Sequence, residues 1–127
     1  ILHQRGDEAY YSPSRDLIVL PLAEQFNSVA EYYSTAFHEI THSTGHGSRL
    51  NRLTATAHFG NTEYSREELT AEIGAAALLN YTGTETRGTF RNNAAYIQNW
   101  LSVLKNDRRM IVAASGAAAK AVEFILG

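Results

Sequence analysis

The stretch SVAEYYSTAFHEITHSTGHG (28–47) decides how this chain reads. It opens with Ser28-Val29-Ala30-Glu31, a helix start in which a serine caps and a glutamate three residues on reaches back. Val29, Tyr33, Phe37, Ile40 and Thr44 then fall on one helical stripe, and Gly45 and Gly47 end the segment. In its middle stands His38-Glu39-Ile40-Thr41-His42. Residues four apart project from one helix face, a turn from each other. Both imidazoles can therefore reach one zinc at about 2.0–2.1 Å. Glu39 is turned about 100° from His38, near such a metal but not on it. A base for a metal-activated water belongs there. At this chain's length and its histidine and glutamate content, chance supplies about 0.015 such matches.

A catalytic zinc takes three protein ligands and leaves one position open. The extended pattern with a third histidine six residues after His42 fails, because that position is Ser48. His46 is four residues on, but Gly45 intervenes where the helix ends. The remaining source is a second helix, opened by Ser65-Arg66-Glu67-Glu68, which repeats the capping pattern. Leu69, Ile73, Ala76, Ala77 and Asn80 share one face of it, and Gly83 follows. This helix offers Glu67, Glu68 and Glu72. Glu68 already has work as the far member of the cap. Glu72 has none, and it borders apolar residues where an unpaired carboxylate is expensive. Glu72 is therefore the expected third ligand and Glu68 its alternative. Whichever acid does not bind the metal is expected behind a histidine.

Outward from these helices, Ala9-Tyr10-Tyr11 and Asp16–Leu20 flank the turn residues Ser12-Pro13-Ser14 and read as a β-hairpin stopped by Pro21. A third helix is expected over about Asn92–Lys105, with Ile97, Trp100, Leu101 and Leu104 inward. A fourth is capped by Asp107, with Ile111, Ala114, Ala118, Val122 and Ile125 on its stripe. Residues 46–64 read as loop. The expected fold is α+β: helix-dominated, with a small amino-terminal β-hairpin or sheet beside the metal helix.

The 127 residues are one domain's worth, and 44% hydrophobic against 19% charged fits a packed core. The absence of cysteine excludes disulfides, thiolate catalysis and Cys-based zinc sites, and fits a cytoplasmic protein. The net charge of −2 exerts no global pull on nucleic acid or membrane. Residues 1–88 hold 6 Lys and Arg against 11 Asp and Glu, while 89–127 hold 5 against 2. An acidic front thus precedes a mildly basic tail. No apolar run approaches the roughly 18 residues of a membrane span. The chain opens on Ile1 rather than Met, so 1–127 is expected to be a piece of a longer protein.

HEITHSTGHGSRLNR (38–52) and YSREELTAEIGAA (64–76) together resemble the zincin-like metallopeptidase domain of ArdC-like antirestriction proteins, which also occurs in TraC primase-like and phage polyvalent proteins. The resemblance continues through Asp16–Pro21, Asn93–Ile97 and Trp100–Lys105, most of the chain. It implies a Zn2+-dependent peptidase domain carried by bacterial mobile elements, acting on a protein or peptide substrate. DNA binding in that family is expected from a separate amino-terminal region, not from this domain.

Among the other residues, His46, Arg49 and Arg52 are candidates to line the cleft and hold a carboxylate or phosphate; a solvated loop is the alternative. Tyr64 and Tyr96 are candidates to stabilise an oxyanion, or else half-buried packing residues. Trp100 is expected in the core, and His3 and His58 on surface or loop. The sequence supports a gluzincin-like zinc metallopeptidase with Glu39 as general base. The alternative is a zinc-containing interaction module that blocks a host factor without proteolysis.

Overall fold

The computed structural model describes residues 1–53 and 61–127. His58, expected in a loop, lies outside them. Three short strands come first: β1 (Leu2–His3), β2 (Tyr10–Ser12) and β3 (Leu17–Leu20). A 3₁₀ turn follows at Ala23–Gln25, then helices α1 (Val29–Ser43), α2 (Thr62–Thr82), α3 (Arg87–Val103) and α4 (Arg108–Leu126). The fold is the expected helix-dominated α+β arrangement.

The expected hairpin is β2–β3, antiparallel with Tyr11 opposite Ile18. β1 has no counterpart in the sequence pattern, because a two-residue strand is too short to show a period. It pairs in parallel with β3 and makes the order β1-β3-β2. Ile18 and Leu20 of β3 are buried with Ala36 of α1, and Tyr11, Tyr32 and Ile40 pack around them. The sheet is thus seated on the flank of the helix that carries the HExxH turn.

Ser28 caps α1 as expected, accepting the Glu31 amide at 3.1 Å. The stripe is shifted, however. Val29 is 70% exposed, and the buried positions are Ala30, Ala36, Glu39 and Thr41. α1 is pressed from two sides, by sheet and by α2, and small residues rather than large ones permit the approach.

The start of α2 departs from expectation. Asn61, not Ser65, is the cap, and its side chain accepts the Tyr64 amide at 2.7 Å. Asparagine caps as well as serine does, and starting a turn earlier lets Ser65 be buried inside the helix. Glu68 therefore belongs to no capping box. α3 also starts earlier than expected, at a cap built from Thr86 and Thr89. Asp107 caps α4 as expected, accepting the Arg109 amide at 2.9 Å.

α2 is the central helix, packed against α1, α3 and α4. Leu69 meets Leu104 and Ala114, with Ile97, Trp100 and Leu101 around them. Trp100 is half-buried and sets its ring edge-to-face on Tyr64, with centroids 5.9 Å apart. The contact with α1 is closest at Gly74, where a Cβ would stand 2.7 Å from Thr41 Cγ2. No side chain but hydrogen allows that approach. It brings the carboxylates of α2 within reach of the imidazoles of α1.

Candidate metal centre and its cleft

His38 and His42 sit one turn apart on α1 with their Nε2 atoms 3.1 Å apart. Glu68 reaches across from α2 and sets Oε2 2.5 Å from His42 Nε2 and Oε1 3.7 Å from His38 Nε2. One donor atom from each of these three residues lies within 4.8 Å of the other two. Tetrahedral ligands at about 2.0–2.1 Å from a zinc stand about 3.3 Å from one another. The 3.1 Å between the two Nε2 atoms is close to that value, and Glu68 approaches them at 2.5 and 3.7 Å through its two oxygens. Two neutral imidazoles and one carboxylate also suit a borderline divalent ion. The residues fit the metal that the HExxH turn implies.

The outward ring nitrogens are held as well. His38 Nδ1 is 3.0 Å from Glu72 Oε1, and His42 Nδ1 is 2.8 Å from Glu67 Oε2. Glu67 is gripped in turn by Arg52, through Nε at 2.7 Å and Nη2 at 3.0 Å. Arg52 also donates to the Thr41 carbonyl at 2.9 Å and to Thr44 Oγ1 at 3.0 Å. Each histidine is thereby fixed in orientation from behind. This requires the chain after α1 to fold back, with the Arg52 and Leu53 amides both donating to the Gly45 carbonyl. A Cβ on Gly45 would stand 2.8 Å from Leu53 Cγ.

The three acids on α2 thus divide the work. Glu68 approaches the Nε2 atoms of both histidines, Glu72 meets His38 Nδ1 and Glu67 meets His42 Nδ1. The expectation paired Glu72 with the metal and held Glu68 as the alternative. The structure groups Glu68 with the two facing Nε2 atoms and sets Glu72 on His38 Nδ1. The preference for Glu72 rests on a capping duty for Glu68, and the cap belongs to Asn61. Sequence reasoning assigns no separate role to Glu67 or to its clamp by Arg52. The acid is 25 residues from its histidine, and no local spacing could signal the pair.

The electrostatics follow from this packing. Burial alone would lower the His42 pKa, but hydrogen bonds to Glu67 and Glu68 outweigh it and push the imidazolium up to about 9. His38 is likewise raised, by Glu68 and Glu72 against burial. Burial raises Glu68, but the two imidazoles prevail and bring its carboxyl down to about 2. Glu67 is lowered in the same way by His42 and Arg52. Glu39 goes the other way: it is 8% exposed, and burial raises its pKa despite the neighbouring histidines.

His38, Glu39, His42, Glu68 and Tyr64 line a cleft of about 820 Å³, together with Tyr10 and Tyr11 of β2, Pro13 of the turn after it and Ala113 and Ala117 of α4. Burial and the charges of Glu68 and Glu39 raise the Tyr64 pKa, so its hydroxyl keeps its proton. His46 is at the lip, its Nδ1 2.8 Å from Ser48 Oγ. Arg49 does not line this cleft. It is bound to Asp16, which Tyr11 also meets at 2.8 Å, and to the Ser43 carbonyl at 2.8 Å, fastening the hairpin to the end of α1. Tyr96 is 57% exposed and lines a second pocket on the Glu72 side of His38.

The fold, with an HExxH turn facing an acid of the next helix, is of the zincin-like class. Residues 1–117 match the zincin-like metallopeptidase family, and the chain belongs to it. Over 126 residues it is 39% and 41% identical to two Escherichia coli proteins called DNA primase TraC, covering 99% of this chain but 8% and 12% of theirs. It is similar also to protein y4eC of Sinorhizobium fredii, at 33% identity over 123 residues, or 94% of this chain and 38% of that one. Among solved structures it resembles antirestriction protein ArdC from plasmid R388. The Mn(II)-bound form gives TM-score 0.79 and 40% identity over 98% of this chain and 46% of that one. The metal-free form gives 0.74 and 38%, over 98% and 44%. The chain thus spans less than half the length of each of these relatives. No helix among the described residues is long and apolar enough to cross a membrane.

Proposed function

We propose that this chain is the metal-dependent peptidase domain of a bacterial antirestriction protein and hydrolyses peptide bonds in a protein substrate in the cytoplasm. The observation that carries the reading is the convergence of His38, His42 and Glu68 on one point, with buried Glu39 beside them at the floor of an open cleft. In this assignment Glu68 is the third ligand, while Glu72 and Glu67 orient the two histidines. Zn2+ is the proposed ion; the ArdC relative was solved with Mn(II), another divalent metal.

When bound, the ion supplies Lewis acidity to the scissile carbonyl and to a water. Glu39 takes the proton of the attacking water on a carboxylate oxygen and returns it to the leaving amine. Its raised pKa suits the second of these steps, because a carboxyl shielded from water holds a proton more readily. Tyr64, protonated on the cleft wall, donates to the oxygen where negative charge develops. His46 at the lip touches substrate flanking the scissile bond. A metal kept only for structure would need no carboxylate at position 39. DNA contact is assigned to other regions of a longer protein.

The test is proteolysis profiling with wild type and Glu39→Gln side by side. The variant is expected to retain metal and lose about 10²–10⁴-fold in turnover. Equal cleavage by both proteins would overturn the reading.

A further inference from the structure

The chain that returns after α1 carries two arginines. Arg52 serves the metal side, through Glu67 and the Thr41 carbonyl. Arg49 is half-buried, and it is not among the described residues that line the cleft. Its loop is pinned, with the Leu50 amide on the Thr44 carbonyl at 2.8 Å and the Asn51 amide on the His46 carbonyl at 3.0 Å. From this fixed base the guanidinium reaches two elements at once. Nε donates to the Ser43 carbonyl at 2.8 Å, at the end of α1, where the helix dipole favours a cation. Nη2 donates to Asp16 Oδ1 in the hairpin and meets Tyr11 Oη at 3.5 Å. Tyr11 donates to the same Asp16 oxygen at 2.8 Å. The backbone of Asp16 is a second, independent sign of constraint. Its φ is +48°, a left-handed conformation that a residue with a Cβ adopts at a cost, and its amide closes the turn on the Pro13 carbonyl at 3.3 Å. Tyr11, Pro13 and Ser14 of this hairpin line the cleft that holds His38, Glu39 and His42.

We propose that Arg49 is a positioning residue for the peptide substrate: through Asp16 and Tyr11 it holds β2 and its turn against the end of α1, and the Tyr11 ring so held packs on the peptide beside the bond that is cleaved. An isolated exposed ion pair would contribute little. Here one planar guanidinium is shared between a helix end, a carboxylate and a phenol, an arrangement that its fixed fork of donors suits. The Tyr11 ring is held twice, by its hydroxyl on Asp16 and by packing on the Ile18, Leu20 and Ala36 cluster. Among the described residues Arg49 bonds to neither histidine of the HExxH turn and to no acid of α2. Its loss therefore leaves the metal centre in place and loosens the part of the cleft that meets the peptide. The proposal rests on the peptidase reading and adds to it the device that sets peptide affinity apart from the chemistry.

The test compares two probes on the intact, zinc-loaded chain: acetohydroxamate, which engages the metal alone, and an alanine-flanked phosphinic peptide, which spans the cleft. Arg49→Gln is expected to keep its zinc and its affinity for acetohydroxamate, and to bind the phosphinic peptide about tenfold more weakly. In proteolysis its KM should rise by a similar factor while kcat stays within about twofold. Asp16→Asn reads the same link from the hairpin side, and serves if the arginine variant fails to fold, because asparagine tolerates the left-handed backbone. It should show the same loss, and so should the double variant, since the two side chains act through one contact. The NMR signals of the Tyr11 ring should shift with the phosphinic peptide and not with acetohydroxamate. Unchanged affinity for the phosphinic peptide in both variants, or loss of zinc and acetohydroxamate along with it, would overturn the proposal. Losses that multiply in the double variant would overturn action through Asp16. A wild type whose Arg49-dependent grip on the phosphinic peptide comes with no cleavage overturns the peptidase reading alone. Cleavage that Glu39→Gln abolishes and Arg49→Gln leaves with unchanged KM overturns the positioning role alone.

Discussion

α1 and α2 contribute to the same centre in opposite ways. α1 supplies two imidazoles and a carboxylate within five consecutive residues, all positioned by helical repeat alone. α2 supplies Glu67, Glu68 and Glu72, and helical repeat leaves their roles open. What separates them is which imidazole atom each meets, and that is set by how closely the two helices approach at Gly74 and Thr41. A motif local in sequence can be read with its roles attached. A set of ligands completed across a helix–helix contact can be narrowed to a few residues, but its roles depend on the approach.

The largest effect should come from α1. His38→Ala or His42→Ala removes one of three donors and leaves two acids of α2 without their ring partner. Metal content, measured on protein purified without chelator, is expected to fall from about one equivalent to near zero. Full metal in both variants would break the assignment of the centre to α1.

The acids of α2 come next, and they sharpen the comparison. Glu68→Ala is expected to cause the greatest loss of metal affinity among the three. Glu72→Ala and Glu67→Ala are expected to lose about 10–100-fold, as residues that only orient a ligand do. Competition against a chelator of known affinity measures all three. If Glu72→Ala proved the most severe, the sequence-based preference for Glu72 would return and the proposed exchange of roles would fail.

That exchange is illegible in the sequence because its causes are not local. Ser65 and Glu68 satisfy the capping pattern, but Asn61 caps a turn earlier, and only burial of Ser65 chooses between them. Glu72 borders apolar residues, as the sequence indicates. It is satisfied there by His38 Nδ1, a partner 34 residues away. The hairpin, the helix order, the α1 cap, the α4 cap and the HExxH turn are all legible because each is decided within a few residues. The Arg52–Glu67–His42 chain is not, since it joins residues distant in sequence. β1 is not either, because its two residues gain meaning only from their pairing with β3.

The raised imidazoles give a pH dependence. His42 is raised from 6.5 to about 9. In the metal-free chain its contribution to stability is therefore fully present below pH 6.5 and lost as pH rises through about 9. Metal binds the neutral imidazoles, so apparent affinity is expected to rise with pH below about 9. Calorimetry in buffers of different ionisation enthalpy should detect proton release near neutrality. Thermal melts of metal-free protein should fall between about pH 7 and 9.5 while the loaded protein holds. No proton release would mean that the two rings meet Glu67, Glu68 and Glu72 in some other protonation state.

The smallest effect concerns where α2 begins. If Asn61 caps the helix, Asn61→Ala exposes the Tyr64 amide without its acceptor and costs about 1 kcal/mol. For a chain of this size that lowers the melting temperature by about 3–5 °C. Ser65→Ala sits inside the helix, where alanine is the better former by a few tenths of a kcal/mol, and should change stability by less than about 0.5 kcal/mol. The two outcomes reverse if the helix starts at Ser65, because the serine would then be the cap and Asn61 a loop residue. The choice of cap also bears on the metal. A start at Ser65 would return Glu68 to the capping box and occupy its carboxylate with a backbone amide. Glu72 would then be the acid left for the metal. Melting temperatures of Asn61→Ala and Ser65→Ala, measured on the metal-free chain, therefore report on the third ligand without a metal being present.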